Sequence, residues 1–136
     1  MDSAILFALG TTFTWGLWLV LADLASDAVG PVTAAAITYA VAAVVVGAYA
    51  LLSGAPLDVG TRGGMLSVGA GLFAAFGLVS LYVGLSLGST AVVSTVGALY
   101  FVVAAFIGVL VLGDPLSPTR AVGIGLAVVS IVLISW

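Results

Sequence analysis

Residues 32–52 read VTAAAITYAVAAVVVGAYALL, 21 consecutive positions without a charge, a proline or an amide side chain. An α-helix needs about 20 predominantly apolar residues to cross the hydrocarbon core of a bilayer, so this stretch has the length and composition of one span. It starts after the Gly30-Pro31 punctuation and ends before the loop SGAPLDVGTRG. Reading outward, four more runs of comparable length appear: residues 4–22, which stop at Asp23; 64–87; 91–112, after only Gly88-Ser89-Thr90; and 118–136, opened by Ser117-Pro118. Serine followed by proline is a helix cap with a first-turn residue. None of the runs alternates polar with apolar as the strands of a membrane barrel do. The expectation is an all-α membrane protein of five transmembrane helices in one domain, residues 1–136.

Composition agrees. Hydrophobic residues make up 64% of the chain, charged residues 5%, and the mean hydropathy is +1.46. A soluble domain carries about 25% charged residues; this chain has too few to cover a water-facing surface. Lys, His, Cys, Glu, Asn and Gln are absent. The five acids are Asp2, Asp23, Asp27, Asp58 and Asp114, and the only basic side chains are Arg62 and Arg120. No cluster of zinc ligands exists, no disulfide can form, and no basic patch offers a nucleic-acid surface. No metal, cofactor or nucleic-acid partner is expected. No Lys or Arg precedes the first apolar run, and that run is longer than the core of a secretory signal, so it is read as a retained helix.

Orientation follows from the loops. With five spans, Arg62 and Arg120 share a side with the N-terminus, and Asp23 and Asp27 lie opposite. The positive-inside rule places the N-terminus in the cytoplasm and the C-terminus outside, in the plasma membrane. Arg120 sits in the first turn of the last run, at the membrane edge, and no charge falls deeper within the five runs; ionisable residues at depth usually mark ion or proton paths. A buried-carboxylate antiport mechanism therefore lacks its central part; Asp23, at the end of the first run, comes closest and reads as a wet boundary residue.

The remaining chemistry lies in hydroxyls and aromatics. The outer halves of the runs hold Thr14, Thr33, Thr38, Tyr39, Ser80, Tyr82, Ser86, Ser94, Thr95, Ser130 and Ser135; the inner halves hold fewer. This asymmetry suggests a polar vestibule opening outward, against the plainer reading that each hydroxyl bonds its own helix or a neighbouring one. Trp18, Tyr49, Tyr82 and Trp136 lie near span ends and read as interfacial anchors. Trp15 and Tyr100 lie near the midplane, where a polar ring tip needs a partner. Six residues emerge as candidate substrate contacts: Trp15, Thr38, Phe76, Ser80, Ser94 and Tyr100. Ser80, Gly84 and Gly88 form a small-residue ladder that would admit a neighbouring helix.

The segment STAVVSTVGALYFVVAAFIGVLVLGDPLSPTRAVGIGLAVVSIVLISW, residues 89–136, resembles the closing helix pair of EamA-type domains in the drug/metabolite transporter superfamily. There a small, apolar helix ends in Leu-Gly-Glu before a short turn and a Gly-rich last helix. Leu112-Gly113-Asp114, then Gly123 and Gly125, occupy those places here, and Thr14-Trp15-Gly16 matches the first-helix Trp-Gly. Asp23 and Thr38 stand where members often carry a Lys and an Arg, so functions of those cations do not transfer. The resemblance implies one half of an inverted-repeat transporter, since an odd number of spans makes a tandem duplicate insert inverted. A single five-helix chain would then work with a second copy or a homologous five-helix chain. The resulting expectation is a non-enzymatic transporter or facilitator. Hydroxyls, rings and backbone, the polar groups deep within the runs, suit a small neutral or zwitterionic metabolite. The alternative is a non-transporting membrane assembly subunit.

Overall fold

The computed structural model describes residues 3–54, 60 and 62–134. Asp2, Asp58, Ser135 and Trp136 lie outside the described residues, and with them the anchor role expected of Trp136. Six helices follow in order: α1 (Ser3–Val29), α2 (Pro31–Ser53), α3 (Arg62–Leu87), α4 (Thr90–Gly97), α5 (Tyr100–Leu110) and α6 (Pro118–Ile134). The chain is an all-α membrane protein. Ser3–Val29, Pro31–Ser53, Arg62–Leu87 and the stretch Thr90–Leu110 are each long and apolar enough to cross a bilayer, and the apolar Pro118–Ile134 is shorter.

α1 differs from the expected first helix by continuing through Asp23 and Asp27 to Val29. A charge marks where a helix leaves the hydrocarbon, not where it stops being a helix. Its 27 residues rise about 1.5 Å each, roughly 40 Å in all against a core of about 30 Å. The segment from Asp23 to Val29 is therefore not needed for the crossing itself, and the Asp-bearing end has length to spare. Ser26 donates from its Oγ to the Ala22 carbonyl at 2.7 Å within this extension. Termination comes at Gly30, whose φ of +84° leaves the helical region, and Pro31 then opens α2 at its first turn. α2 ends on Gly54 in the left-handed conformation (φ +66°), its amide returning to the carbonyls of Ala50 and Leu51. That conformation costs a residue with a Cβ.

The chain divides into two compact units, residues 1–87 and 88–136. In the first, each of α1, α2 and α3 contacts the other two. Burial is confined to one end: Ala22 and Ser26 of α1, Ala34 and Ala35 of α2, and Tyr82 and Leu85 of α3. Four of these are small side chains, which allow the backbones to approach where lipid supplies no hydrophobic drive. Toward the other end nothing lies within 4 Å of a Cβ built on Gly10, Gly16, Gly47, Gly69, Gly71 or Gly77. The three helices are thus closed at the Val29, Pro31 and Leu87 end and open along the rest. The hydroxyl asymmetry predicts an outward vestibule at that same end. Within this unit that end is instead the packed one, because its small residues let the helices close on Tyr82.

In the second unit α4 contacts α6, and Gly108 and Ile131 are buried. Ser89 caps α4, its Oγ accepting from the Val92 amide at 3.4 Å, and Ser117 caps α6 through the Arg120 amide at 3.3 Å. The expected unbroken helix over residues 91–112 is two helices, interrupted at Ala98 and Leu99.

Candidate functional site

Side chains from all three helices of the first unit meet at its closed end. Tyr82, on the inward stripe of α3, is 1% exposed. Its hydroxyl lies 2.7 Å from Thr38 Oγ1 on α2, and either oxygen can donate. Trp18 of α1 packs against the Tyr82 ring, centroids 6.1 Å apart and planes at 50°. Trp15 continues the series one turn earlier, 6.2 Å from Trp18 at 60°. Such tilted pairs fall within the favourable range for aromatic rings. The outcome is a run of polar-tipped rings, Trp15–Trp18–Tyr82, ending in a threonine hydroxyl.

Of the six candidate residues, the structure brings Trp15 and Thr38 into this run, at its two ends. Trp15 is 51% exposed and Thr38 half-buried. Phe76 is 74% exposed and lies with Phe73 on the opposite side of α3 from Tyr82. Ser80 is exposed as well. Ser94 and Tyr100 belong to the second unit: Ser94 is half-buried, and Tyr100, 60% exposed, opens α5.

Two readings are corrected here. Tyr82 is not an interfacial anchor but the most deeply buried large side chain described, because its hydroxyl finds Thr38 and not the headgroup region. The ladder of Ser80 and Gly84 is not the face by which α3 packs on α1 and α2. Burial falls on Tyr82 and Leu85, with Leu78 and Leu81 half-buried beside them, while Ser80 is exposed and Gly84 half-buried. The spacing of Leu78, Leu81, Tyr82 and Leu85 is itself a helical stripe, and that signal could have found Tyr82. Trp18 could have been found from its place one turn after Trp15.

Most hydroxyls follow the plainer reading. Thr11, Thr12 and Thr14 donate to the carbonyls of Phe7, Ala8 and Gly10 at 2.9–3.1 Å. Ser67, Ser86, Thr95 and Ser130 likewise donate to Gly63, Val83, Ala91 and Ala127 on their own helices. Such bonds satisfy a hydroxyl in lipid without a ligand. Thr38 differs because its partner is on another helix.

The second unit holds a cavity of about 370 Å³ between α5 and α6. Phe101, Ala105 and Val109 form one wall, Gly123 and Ile124 the other, with Asp114 and Arg120 at its rim. The Leu112-Gly113-Asp114 turn shapes that rim. Gly113 takes φ +75°, and the Asp114 amide returns to the Gly108 carbonyl at 3.0 Å. The Asp114 carboxylate then covers Gly108, where a Cβ would sit 2.7 Å from Oδ2. Arg120 donates from Nη1 to the Pro115 carbonyl at 3.3 Å, bracing the loop.

This turn and the Gly-bearing helix after it are the features on which the sequence resembles a known family. No curated protein and no solved structure matches the chain. The EamA-like transporter family matches it over residues 2–136, nearly its whole length. The chain therefore belongs to the EamA-like transporter family, membrane transporters of the drug/metabolite superfamily.

Proposed function

We propose that this member of the family moves small neutral or zwitterionic metabolites across the plasma membrane. In this reading it works as a dimer, with a second copy or a homologous five-helix chain supplying the other half of an inverted-repeat transporter. The N-terminus is cytoplasmic and the C-terminus outside. The observation that carries the reading is the one-ended closure of α1, α2 and α3. Their packed end is held by Ala22, Ala34, Ala35, Tyr82 and Leu85, while polar-tipped and aromatic side chains such as Trp15, Phe73 and Phe76 stand exposed along the open remainder. A half-transporter has such a form when a partner completes its cavity. The side chains there offer rings and hydroxyls and no charge, which suits a ligand without net charge.

Reconstitution into liposomes with a panel of radiolabelled amino acids and other uncharged metabolites tests this. Saturable uptake of at least one, competed by its unlabelled form, is expected. Well-folded protein that gives no saturable flux for any of them would overturn the reading and favour a non-transporting assembly subunit.

A further inference from the structure

The fourth apolar stretch is long enough to cross a bilayer, yet it is not one continuous α-helix. α4 ends at Gly97 and α5 begins at Tyr100. Between them the Leu99 amide donates to the Val96 carbonyl at 3.1 Å, and the Phe101 amide to the Ala98 carbonyl at 3.3 Å. Both bonds reach three residues back. In an α-helix the same amides would serve the carbonyls of Thr95 and Gly97. The local tightening into a 3₁₀ turn takes those two acceptors out of the helical ladder.

Their depth makes this consequential. Gly97 lies seven residues into the stretch that starts at Thr90, about 10 Å along it. A carbonyl without a donor is costly in hydrocarbon, and non-helical backbone at that depth is tolerated only inside protein or beside water. This side of the helix therefore faces something other than lipid. The Gly97 carbonyl points along the helix toward the next turn, where Tyr100 and Phe101 sit, and Ser94 lies one turn before it on the same face. Gly97 brings no side chain to cover the oxygen. Ser94 Oγ makes only a long bond, 3.3 Å, to the Ala91 carbonyl, and its lone pairs remain acceptors. The Tyr100 ring is 60% exposed.

Every group gathered there attracts positive charge. Carbonyl oxygens at the C-terminal end of a half-helix hold cations in transporters built from discontinuous helices, a hydroxyl accepts from N–H, and a tyrosine face binds ammonium. No carboxylate sits in the segment from Ser94 to Phe101, and Asp114, at the rim of the cavity that Phe101 lines, shares that rim with Arg120, so the ligand's positive charge would be balanced within the ligand itself. We propose that the interruption at Ser94, Gly97 and Tyr100 is the recognition point for the ammonium group of a primary-amine metabolite. The identity of the ligand rests on the transport reading above; the cation preference of the site does not.

The chain has no cysteine, so single thiols report cleanly. Phe101→Cys places one a turn beyond Gly97 and leaves Ser94, Gly97 and Tyr100 intact; Ala105→Cys is a second reporter on the same face. Val103→Cys lies on the opposite face. Protein in liposomes is treated with aminoethyl or sulfonatoethyl methanethiosulfonate, and the ratio of rates is compared with that at Leu87→Cys, at the end of α3. The expected result is a ratio raised roughly tenfold in favour of the ammonium reagent at Phe101→Cys, and no reaction at Val103→Cys. Ethylammonium chloride should slow the labelling more than sodium chloride at equal ionic strength. Unreactive thiols at both Phe101→Cys and Ala105→Cys, a ratio equal to that at Leu87→Cys, or equal protection by sodium would each overturn the proposal. Charge-selective labelling without any transport would retract the transporter reading and leave this site standing. Saturable transport with charge-blind labelling would do the reverse.

Discussion

The hydroxyls of Thr38 and Tyr82 lie 2.7 Å apart and join α2 to α3 across 44 residues of chain. Among the hydroxyl bonds described above, it is the one that ties two helices together. Among the described residues, its place is the only part of the first unit where large and small side chains are both buried, so bond and packing reinforce each other. Tyr82→Phe keeps the ring against Trp18 and removes the bond. The expected loss of stability is about 0.6–1 kcal/mol, the range for such bonds in membrane and soluble proteins. A double-mutant cycle with Thr38→Val, read by thermal unfolding in detergent, should return a coupling energy of similar size. Zero coupling would show that the two oxygens are neighbours without being partners.

Gly108 and Asp114 are coupled by space. Gly108→Ala would put a Cβ 2.7 Å from Asp114 Oδ2, while the Asp114 amide is held on the Gly108 carbonyl at 3.0 Å. The carboxylate is the tip of an exposed side chain, so it can swing aside about χ1 while that backbone bond stays in place. Displacing the carboxylate from its present rotamer costs about 0.5–1.5 kcal/mol, and adding Asp114→Ala should recover most of it. Gly123→Ala is the control, because nothing lies within 4 Å of its Cβ; it should be neutral or stabilising by about 0.5–1 kcal/mol from helix propensity. Equal effects of the two glycine substitutions in an unfolding assay would contradict the geometry.

Helix type and the membrane class are legible because both follow from composition: runs near 20 residues without charge admit no other architecture in a chain with two arginines. The extent of α1 is not legible, because Asp23 and Asp27 signal the water boundary while helical hydrogen bonding continues past it to Val29. The interruption at Ala98–Leu99 is equally hidden. It contains no proline, and residues with ordinary right-handed φ/ψ leave no mark in the sequence when their bonds shift from four residues to three. Thr38 stands out as a polar side chain in an apolar run. Its partner Tyr82 does not, because a tyrosine near a span end resembles an anchor, and only the neighbouring helices show that its hydroxyl is already occupied.

Topology can be tested with two reporters. Ser26 is buried against its neighbours, so the thiol for the Asp-bearing end belongs at exposed Ala28; Thr119, beside Arg120, serves the other. In intact cells Ala28→Cys should react with an impermeant maleimide and Thr119→Cys should react only after the membrane is opened. This follows from the side on which Arg62 and Arg120 fall. Equal labelling of both in intact cells would indicate dual insertion, and with it an antiparallel pair of identical chains.

The packing of the closed end gives the sharpest contrast between adjacent residues. Ala34 and Ala35 are buried, whereas Ala36 is exposed. All three are alanines in the same helix, so intrinsic helix propensity cancels when each is replaced in turn by leucine. Ala35→Leu must either push α2 away from its neighbours or force their side chains off their rotamers, and it should cost about 1–3 kcal/mol. Ala36→Leu adds the same volume on an exposed face and should change stability by no more than about 0.5 kcal/mol. The measurement is the detergent unfolding midpoint of the two variants under identical conditions. A further readout separates packing from global instability: if α2 is displaced, the Thr38–Tyr82 bond should weaken too, and the Thr38→Val effect should shrink in the Ala35→Leu background. Matching midpoints for the two leucine variants would mean that the small residues at this end do not set the helix spacing, and the one-ended closure that supports the transport reading would lose its physical basis.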